Sequence, residues 1–330
     1  MKIQLGRGSY VPLSSARTEL QCVNVSGAKT AFANIKSFWQ RDYPDVSVAK
    51  GTLLMTVDLE DYRRQELRDH LGTPQAPSPA EVERQAHALL DLLDEINARA
   101  TFFAVGRLVA ELPRALWERI IKSHDIGCHG FEHLRIAHIG PARFRQDLRQ
   151  AKEVLEQAAG QPVVSFRAPY FSADGCNPWY GEILAEAGMR IESSQRCWRV
   201  PRGFRGSYPL EGSGGRVTAV PLPALGLGHK RLTLIGGTYF RLLPLGAVRQ
   251  LLRLAQNRGF IPTLYLHPYD IDPHAPLLHY PAGRYIKHRL SAWMRRLGRR
   301  SAAVKVHALS RDFMLNSLEG VFGAARSEHL

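Results

Sequence analysis

TLLMTVDLED, residues 52–61, decides the fold: an apolar run that follows Gly51 ends in a cluster of carboxylates, Asp58, Glu60 and Asp61. Outward from it, strand-like apolar runs recur at 100–105, 124–128, 163–167, 217–222, 232–236 and 261–267, with amphipathic runs between them. That alternation is the pattern of an α/β domain with a parallel sheet or barrel of about seven units. The intervening helices have readable limits. Ser78-Pro79-Ala80-Glu81 reads as a serine cap, a first-turn proline and a capping-box glutamate, after which Val82, Leu89, Leu90, Leu93 and Ile96 share one face. A second helix is predicted over 244–258, burying Leu245, Val248, Leu251 and Leu252. The Gly- and Pro-rich region 201–228 reads as long loops over the face where such folds keep their chemistry.

Composition bounds the rest. With 330 residues, 45% of them hydrophobic, the chain can bury a full core. No stretch approaches the roughly 20 apolar residues of a membrane span. The first twenty positions lack the apolar core of a secretion signal, so a cytoplasmic protein, possibly one associated with a membrane surface, is expected. Cys22, Cys128, Cys176 and Cys197 show no paired short spacing, and free thiols are expected. The formal net charge is +14, and nine of the cations (Arg284, Lys287, Arg289, Arg295, Arg296, Arg299, Arg300, Lys305 and Arg311) lie between Pro281 and Arg311 with no acid among them. Such a charge draws anionic surfaces or polymers, but no nucleic-acid-binding module is recognisable and no nucleic acid is expected as a partner.

Chemistry is concentrated at the ends of the expected strands. Three carboxylates within four residues repel one another unless a cation or proton relieves them. Residues two apart on an extended strand point the same way, so Asp58 and Glu60 face one pocket and Asp61 another. His129 and His133, in HGFEH after the strand HDIGC, have the spacing that lets two imidazoles meet one metal, and Gly127 and Gly130 permit a tight ligand loop. One carboxylate and two histidines leave a position open for water on zinc or a similar divalent ion. Arg167, in RAPY (167–170), can orient a nearby carboxylate or serve as a surface ion pair. His267, in LYLHP (264–268), is either a satisfied core histidine or, at a strand end ahead of Pro268, a general acid.

The order of these segments, with ATFF at 100–103 among them, resembles the polysaccharide deacetylases, the NodB-homology family or carbohydrate esterase family 4, over roughly residues 50–270. The usual TFDDG is replaced here by Asp58-Leu59-Glu60-Asp61, and this form together with LHPYD resembles the branch tied to exopolysaccharide and O-antigen biosynthesis. The resemblance implies a distorted (β/α)7 barrel of the NodB-homology type at 51–275, with 1–50 as an N-terminal extension packing on it and 276–330 as a basic C-terminal extension. It implies removal of N-acetyl groups from a saccharide with a divalent metal, zinc by its ligands. Asp58 is then the general base held by Arg167, His129 and His133 the metal ligands with Glu60 or Asp61, the Tyr170 N–H the oxyanion donor and His267 the acid. The same-face reasoning favours Glu60 over Asp61. Glu192, in IESS, occupies the place of the family's aspartate that tunes the acid histidine. An O-acetyl esterase or deformylase on the same machinery, and a non-catalytic glycan-binding protein, are the alternatives.

In the basic tail, Ile286, Leu290, Trp293, Met294 and Leu297 fall at helical spacing. A helix packing that face on the barrel is expected, with an anionic membrane surface as the alternative partner.

Overall fold

The structure, a computed structural model, describes residues 51–323 apart from 73–75, 174–178, 201–202, 228–229, 234, 277, 279 and 282–284. The expected extension 1–50, with Cys22, and also Cys176 and Arg284 lie outside the described residues. A nine-stranded sheet organises the rest. Its strands are β1 (Thr52–Leu59), β2 (Thr101–Ala104), β3 (Asp125–Cys128), β4 (Ser165–Phe166), β5 (Ile191–Glu192), β6 (Tyr208–Pro209), β7 (Thr218–Ala219), β8 (Thr263–Leu266) and β9 (Met314–Asn316). The order is β8-β1-β2-β3-β4-β5-β7-β6, with β9 also pairing β1. Every ladder is parallel except β6 with β7. The expected barrel is thus a curled, open half-barrel, with no ladder joining β6 to β8 among the described residues.

All eight residues of β1 are buried, as befits a parallel strand covered on both faces. Register then aligns the strand ends: Asp58 opposes Phe103, Ala104 opposes Cys128, and Cys128 opposes Phe166. Residues just beyond these positions (Glu60, His129, Arg167) therefore emerge on one rim, the C-terminal rim where α/β barrels place their sites. The expected strand at 232–236 is reduced to a single bridge between Gly236 and Tyr265. The short strands β5, β6 and β9 carry too few apolar residues to stand out in the sequence.

The principal helices are α1 (Tyr62–Leu71), α2 (Pro79–Glu95), α3 (Ile136–Ala159), α4 (Gly237–Leu242), α5 (Leu245–Asn257), α6 (Ile286–Met294) and α7 (Arg299–Ser310). In α2, Val82, Leu89, Leu90 and Leu93 are buried as the period predicts. The capping box does not form. Ser78 Oγ donates instead to Asp61 Oδ1 at 2.8 Å, and Glu81 accepts from Gln85. Cys128 is a free thiol, and burial pushes it up to about 12.

The tail helix reverses its expected orientation. Ile286, Leu290 and Trp293 are more than half exposed (64%, 57% and 54%), while Ala292 faces the protein. The anchors on the inner side are polar and aromatic: His288 lies 4.0 Å from the His70 ring, and Arg295 is held by the Tyr62 hydroxyl and Glu66. A guanidinium with two such partners docks this segment more firmly than an apolar stripe that has no facing groove.

Gly127 sits where β3 crosses Phe103 and Ser165, and a Cβ there would lie 2.5 Å from the Phe103 ring and 2.8 Å from Ser165 Oγ. Gly127→Ala is expected to cost about 1–3 kcal/mol by overpacking. Urea unfolding of the variant against the parent checks this; equal midpoints would contradict so tight a crossing.

Candidate active site

Arg167 is fully buried and spends its donors locally. Nη1 donates to Asp58 Oδ1 at 2.8 Å and to Thr56 Oγ1 at 3.0 Å, while Nε and Nη2 donate to the Ser193 carbonyl and hydroxyl. Its guanidinium also lies over the Phe103 ring at 4.3 Å. Asp58, itself buried, is thereby fixed in position through its Oδ1.

Glu60 is the carboxylate that meets the histidines. Its Oε2 lies 2.6 Å from His133 Nε2 and its Oε1 3.5 Å from His267 Nε2. Burial raises its carboxyl, but the facing His133 and its hydrogen bond, with His267 and His129 behind, outweigh this and hold it at about 2. His129 Nδ1 donates to the Arg167 carbonyl at 2.8 Å, which leaves Nε2 with its lone pair toward Glu60. Burial, with His133 close by, drives His129 down to about 4, so it is neutral and able to ligate. Ligand atoms of Glu60, His129 and His133 all lie within 4.8 Å of one another, and all three residues are buried. A buried carboxylate with two imidazoles converging on it suits a divalent cation of the zinc type.

Asp61, expected as the other candidate ligand, does not join this group. One oxygen accepts from Arg64 N–H at 3.0 Å as the N-cap of α1, and the carboxylate accepts from both the Ser78 N–H and hydroxyl at 2.8 Å. β1 ends at Leu59, and the chain turns into α1 before Asp61 can face the rim.

His133 is carried on a loop with left-handed backbone at Gly130 (φ 74°) and at His133 itself (φ 55°). Asp147 of α3, a residue with no distinguishing sequence signal, holds this loop by accepting from Phe131 N–H at 2.8 Å and Glu132 N–H at 3.1 Å. A side chain at Gly130 would collide with it, a Cβ there lying 2.9 Å from Asp147 Oδ2. Arg68 of α1 adds a bond to the Glu132 carbonyl at 3.1 Å.

Tyr170 packs edge-on to His133 with ring centroids 4.5 Å apart, and its hydroxyl donates to Asp69. The following amides, Phe171 and Ser172, bond back to Ala168 and Pro169, whereas the Tyr170 N–H enters no backbone hydrogen bond among the described residues.

The carboxylate that meets His267 is Asp270, not Glu192. Glu192 accepts from the Tyr180 hydroxyl at 3.0 Å and from Ser194 N–H at 2.8 Å, and so serves the loop beneath Ala168. Asp270 Oδ2 meets His267 Nδ1 at 3.1 Å and its backbone N–H at 2.9 Å, because Pro268 opens a 3-10 turn that returns Asp270 to His267. Arg241 Nε lies 2.8 Å from Asp270 Oδ1, with both side chains fully buried. Burial opposes charge on His267, but the Asp270 hydrogen bond and the nearby carboxylates prevail and raise it to about 9. The His-Pro-Tyr-Asp spacing was a readable signal for Asp270; nothing in the sequence pointed to Arg241.

Comparison with known proteins places these residues in a family frame. Residues 77–191, which carry His129, His133, Arg167 and Tyr170, match the polysaccharide deacetylase model. Residues 190–322, which carry Arg241, His267 and Asp270, match a domain of unknown function, DUF3473. A chitooligosaccharide deacetylase of Azorhizobium caulinodans is 31% identical over 122 residues, covering 35% of this chain and 55% of that protein. A peptidoglycan-N-acetylglucosamine deacetylase of Bacillus cereus is 29% identical over 116 residues, covering 35% of this chain and 36% of that protein. The chain thus spans about half or less of the length of these curated relatives. A crystal structure from Mycobacterium smegmatis, named for the polysaccharide deacetylases, superposes with a TM-score of 0.56 at 20% identity, over 88% of this chain and 96% of its own, and shows the same fold.

The geometry separates the two acidic candidates. Glu60→Gln is expected to weaken zinc binding by more than the roughly 10–100-fold that follows loss of a supporting hydrogen bond. Asp61→Ala is expected to leave zinc affinity nearly unchanged while losing an N-cap worth about 0.5–2 kcal/mol of stability. Calorimetric zinc titration beside urea unfolding of both variants checks the pair; the reverse pattern would make Asp61 the ligand. With the histidine loop and the arginine-held carboxylate in agreement with the matched segment, residues 77–191 are similar to the polysaccharide deacetylases, in a chain that shares their fold.

Proposed function

We propose that the chain is a metal-dependent hydrolase that removes N-acetyl groups from a saccharide. The observation that carries this reading is the convergence on one rim of an arginine-held carboxylate, a Glu-His-His cluster and a histidine whose other nitrogen is held by a buried aspartate. A divalent cation at Glu60, His129 and His133, zinc by the chemistry of those donors, polarises an acyl oxygen and lowers the pKa of water when bound.

The chain's own groups have distinct tasks in this reading. Asp58, fixed by Arg167, accepts a proton from the attacking water. The Tyr170 N–H donates to the oxyanion that develops on the carbonyl oxygen. His267, kept protonated by Asp270, gives its proton to the departing amine, so acetate and an amino sugar leave. The names of the relatives support N-acetylglucosamine-containing chains as the first substrates to offer.

Acetate release from N-acetylated chitooligosaccharides and from peptidoglycan fragments tests this reading. Asp58→Asn and His267→Gln are each expected to lower the rate about 10²–10⁴-fold with metal content retained. Undiminished release in Asp58→Asn, or release from O-acetylated sugars alone, would overturn the N-deacetylase reading. The pH profile adds a sign. Removing the carboxylate beside His267 lowers the pH at which it loses its proton, so Asp270→Asn is expected to move the alkaline limb of the rate profile to lower pH. An unmoved limb would separate Asp270 from the acid step.

A further inference from the structure

α6 presents its apolar residues outward, and that orientation has a physical cost that some partner must relieve. At 100° per residue, Ile286, Leu290 and Trp293 fall within one narrow stripe of α6, with Met294 at its edge, and Leu297 lies in the turn that follows. Their exposures run from 64% at Ile286 to 38% at Leu297, and Leu242 of the neighbouring α4 is 46% exposed. The stripe is flanked by cations: Lys287 and Arg289 project to either side of it, with Arg296 and Arg300 beyond, and all four are exposed. Among the described residues none of these four forms an ion pair, and there is no acid between Pro281 and Arg311. Other cations of the tail are spent internally. Arg295 pairs with Glu66, and Lys305 Nζ donates to the Phe240 and Arg241 carbonyls at 3.1 and 2.7 Å.

An apolar stripe flanked by unpaired cations matches the layered chemistry of an anionic bilayer surface, where apolar side chains enter the acyl boundary and cations lie at the phosphate level. No helix among the described residues is long and apolar enough to cross a membrane. We propose that this face docks the protein on an anionic lipid surface through α6. The patch's lack of acids and the high positive charge around it favour anionic lipid over a second copy of the same basic chain, which the same cations repel. The placement also suits a glycan held at a membrane: Arg295, at the end of α6, contacts Tyr62, whose ring lies 4.2 Å from Tyr269, which in turn stacks on His267 at 4.7 Å. Surface binding needs no catalysis, so the inference stands apart from the deacetylase reading.

Flotation of the full chain with phosphatidylcholine vesicles, and with vesicles of equal phosphatidylcholine and phosphatidylglycerol, tests it. Binding is expected only to the anionic vesicles, falling about tenfold or more in Lys287→Glu/Arg289→Glu/Arg296→Glu and likewise in Ile286→Ser/Leu290→Ser/Trp293→Ser. Acetate release from a soluble oligosaccharide should be unchanged in both variants, which controls for folding. Vesicles brominated on their acyl chains should quench the fluorescence of the parent protein, and the quenched fraction should vanish in Trp293→Phe. Equal binding to neutral vesicles, retained binding in the two triple variants, or quenching that survives Trp293→Phe would overturn the proposal. So would concentration-dependent self-association in sedimentation velocity that the apolar triple variant abolishes, since it would make a second copy the occupant.

Discussion

A guanidinium with no exposure to water must find its acceptors inside the protein, and Arg167 finds them on two different strand ends. It bonds Asp58 and Thr56 of β1 and both oxygens of Ser193, just past β5, while its own carbonyl accepts from His129. Arg167 therefore fixes the position of a carboxylate through its guanidinium and the tautomer of a histidine through its backbone carbonyl. Removing either partner of such a buried pair typically costs about 3–5 kcal/mol, because the survivor is left charged and unpaired. The rim of the sheet is organised around that constraint. The parallel register brings the strand ends level, and Arg167 then ties them together across the opening.

A second buried pair mirrors the first. Asp270 and Arg241 are both fully buried and in contact, and they stand behind His267 as Arg167 stands behind Asp58. Arg241 Nη1 reaches on to the Leu297 carbonyl at 2.7 Å, so the aspartate behind His267 and the turn after α6 share one guanidinium. The tail segment is thereby bound to the chemistry of the site, which explains how a basic stretch beyond the last central strand can fold with its apolar stripe facing out. Its anchors include Arg295 and the Arg241 bonds to its carbonyls, with Ala292 buried on the inner side of α6.

Much of the fold is legible in the sequence because parallel strands buried on both faces leave unbroken apolar runs. Residues 52–59, 101–104, 125–128 and 263–266 all stand out for that reason. Two-residue strands such as Ile191–Glu192 and Tyr208–Pro209 leave no run to read, and they arise from register with longer neighbours. The capping box at Ser78 was misread because local spacing cannot show that Asp61, seventeen residues earlier, competes for the same hydroxyl. In choosing between Glu60 and Asp61, strand alternation pointed to Glu60, but the physical cause is different: the strand stops at Leu59, and Asp61 is consumed as a helix cap. Asp270 was visible in principle through the His-Pro-x-Asp turn, whereas Glu192 offered only a place in a family pattern. For the tail helix, periodicity gave the stripe but not its direction, since amphipathicity is silent about which face the protein takes.

The central claim is that one cation is held by Glu60, His129 and His133, with Asp58 kept beside it by Arg167 and Asp61 excluded. Anomalous diffraction at the zinc edge from zinc-loaded crystals tests it most directly. A single peak about 2.0–2.2 Å from a Glu60 carboxylate oxygen and from one nitrogen of each histidine is the expected result. A peak coordinated by Asp61, or none at this rim, would contradict it.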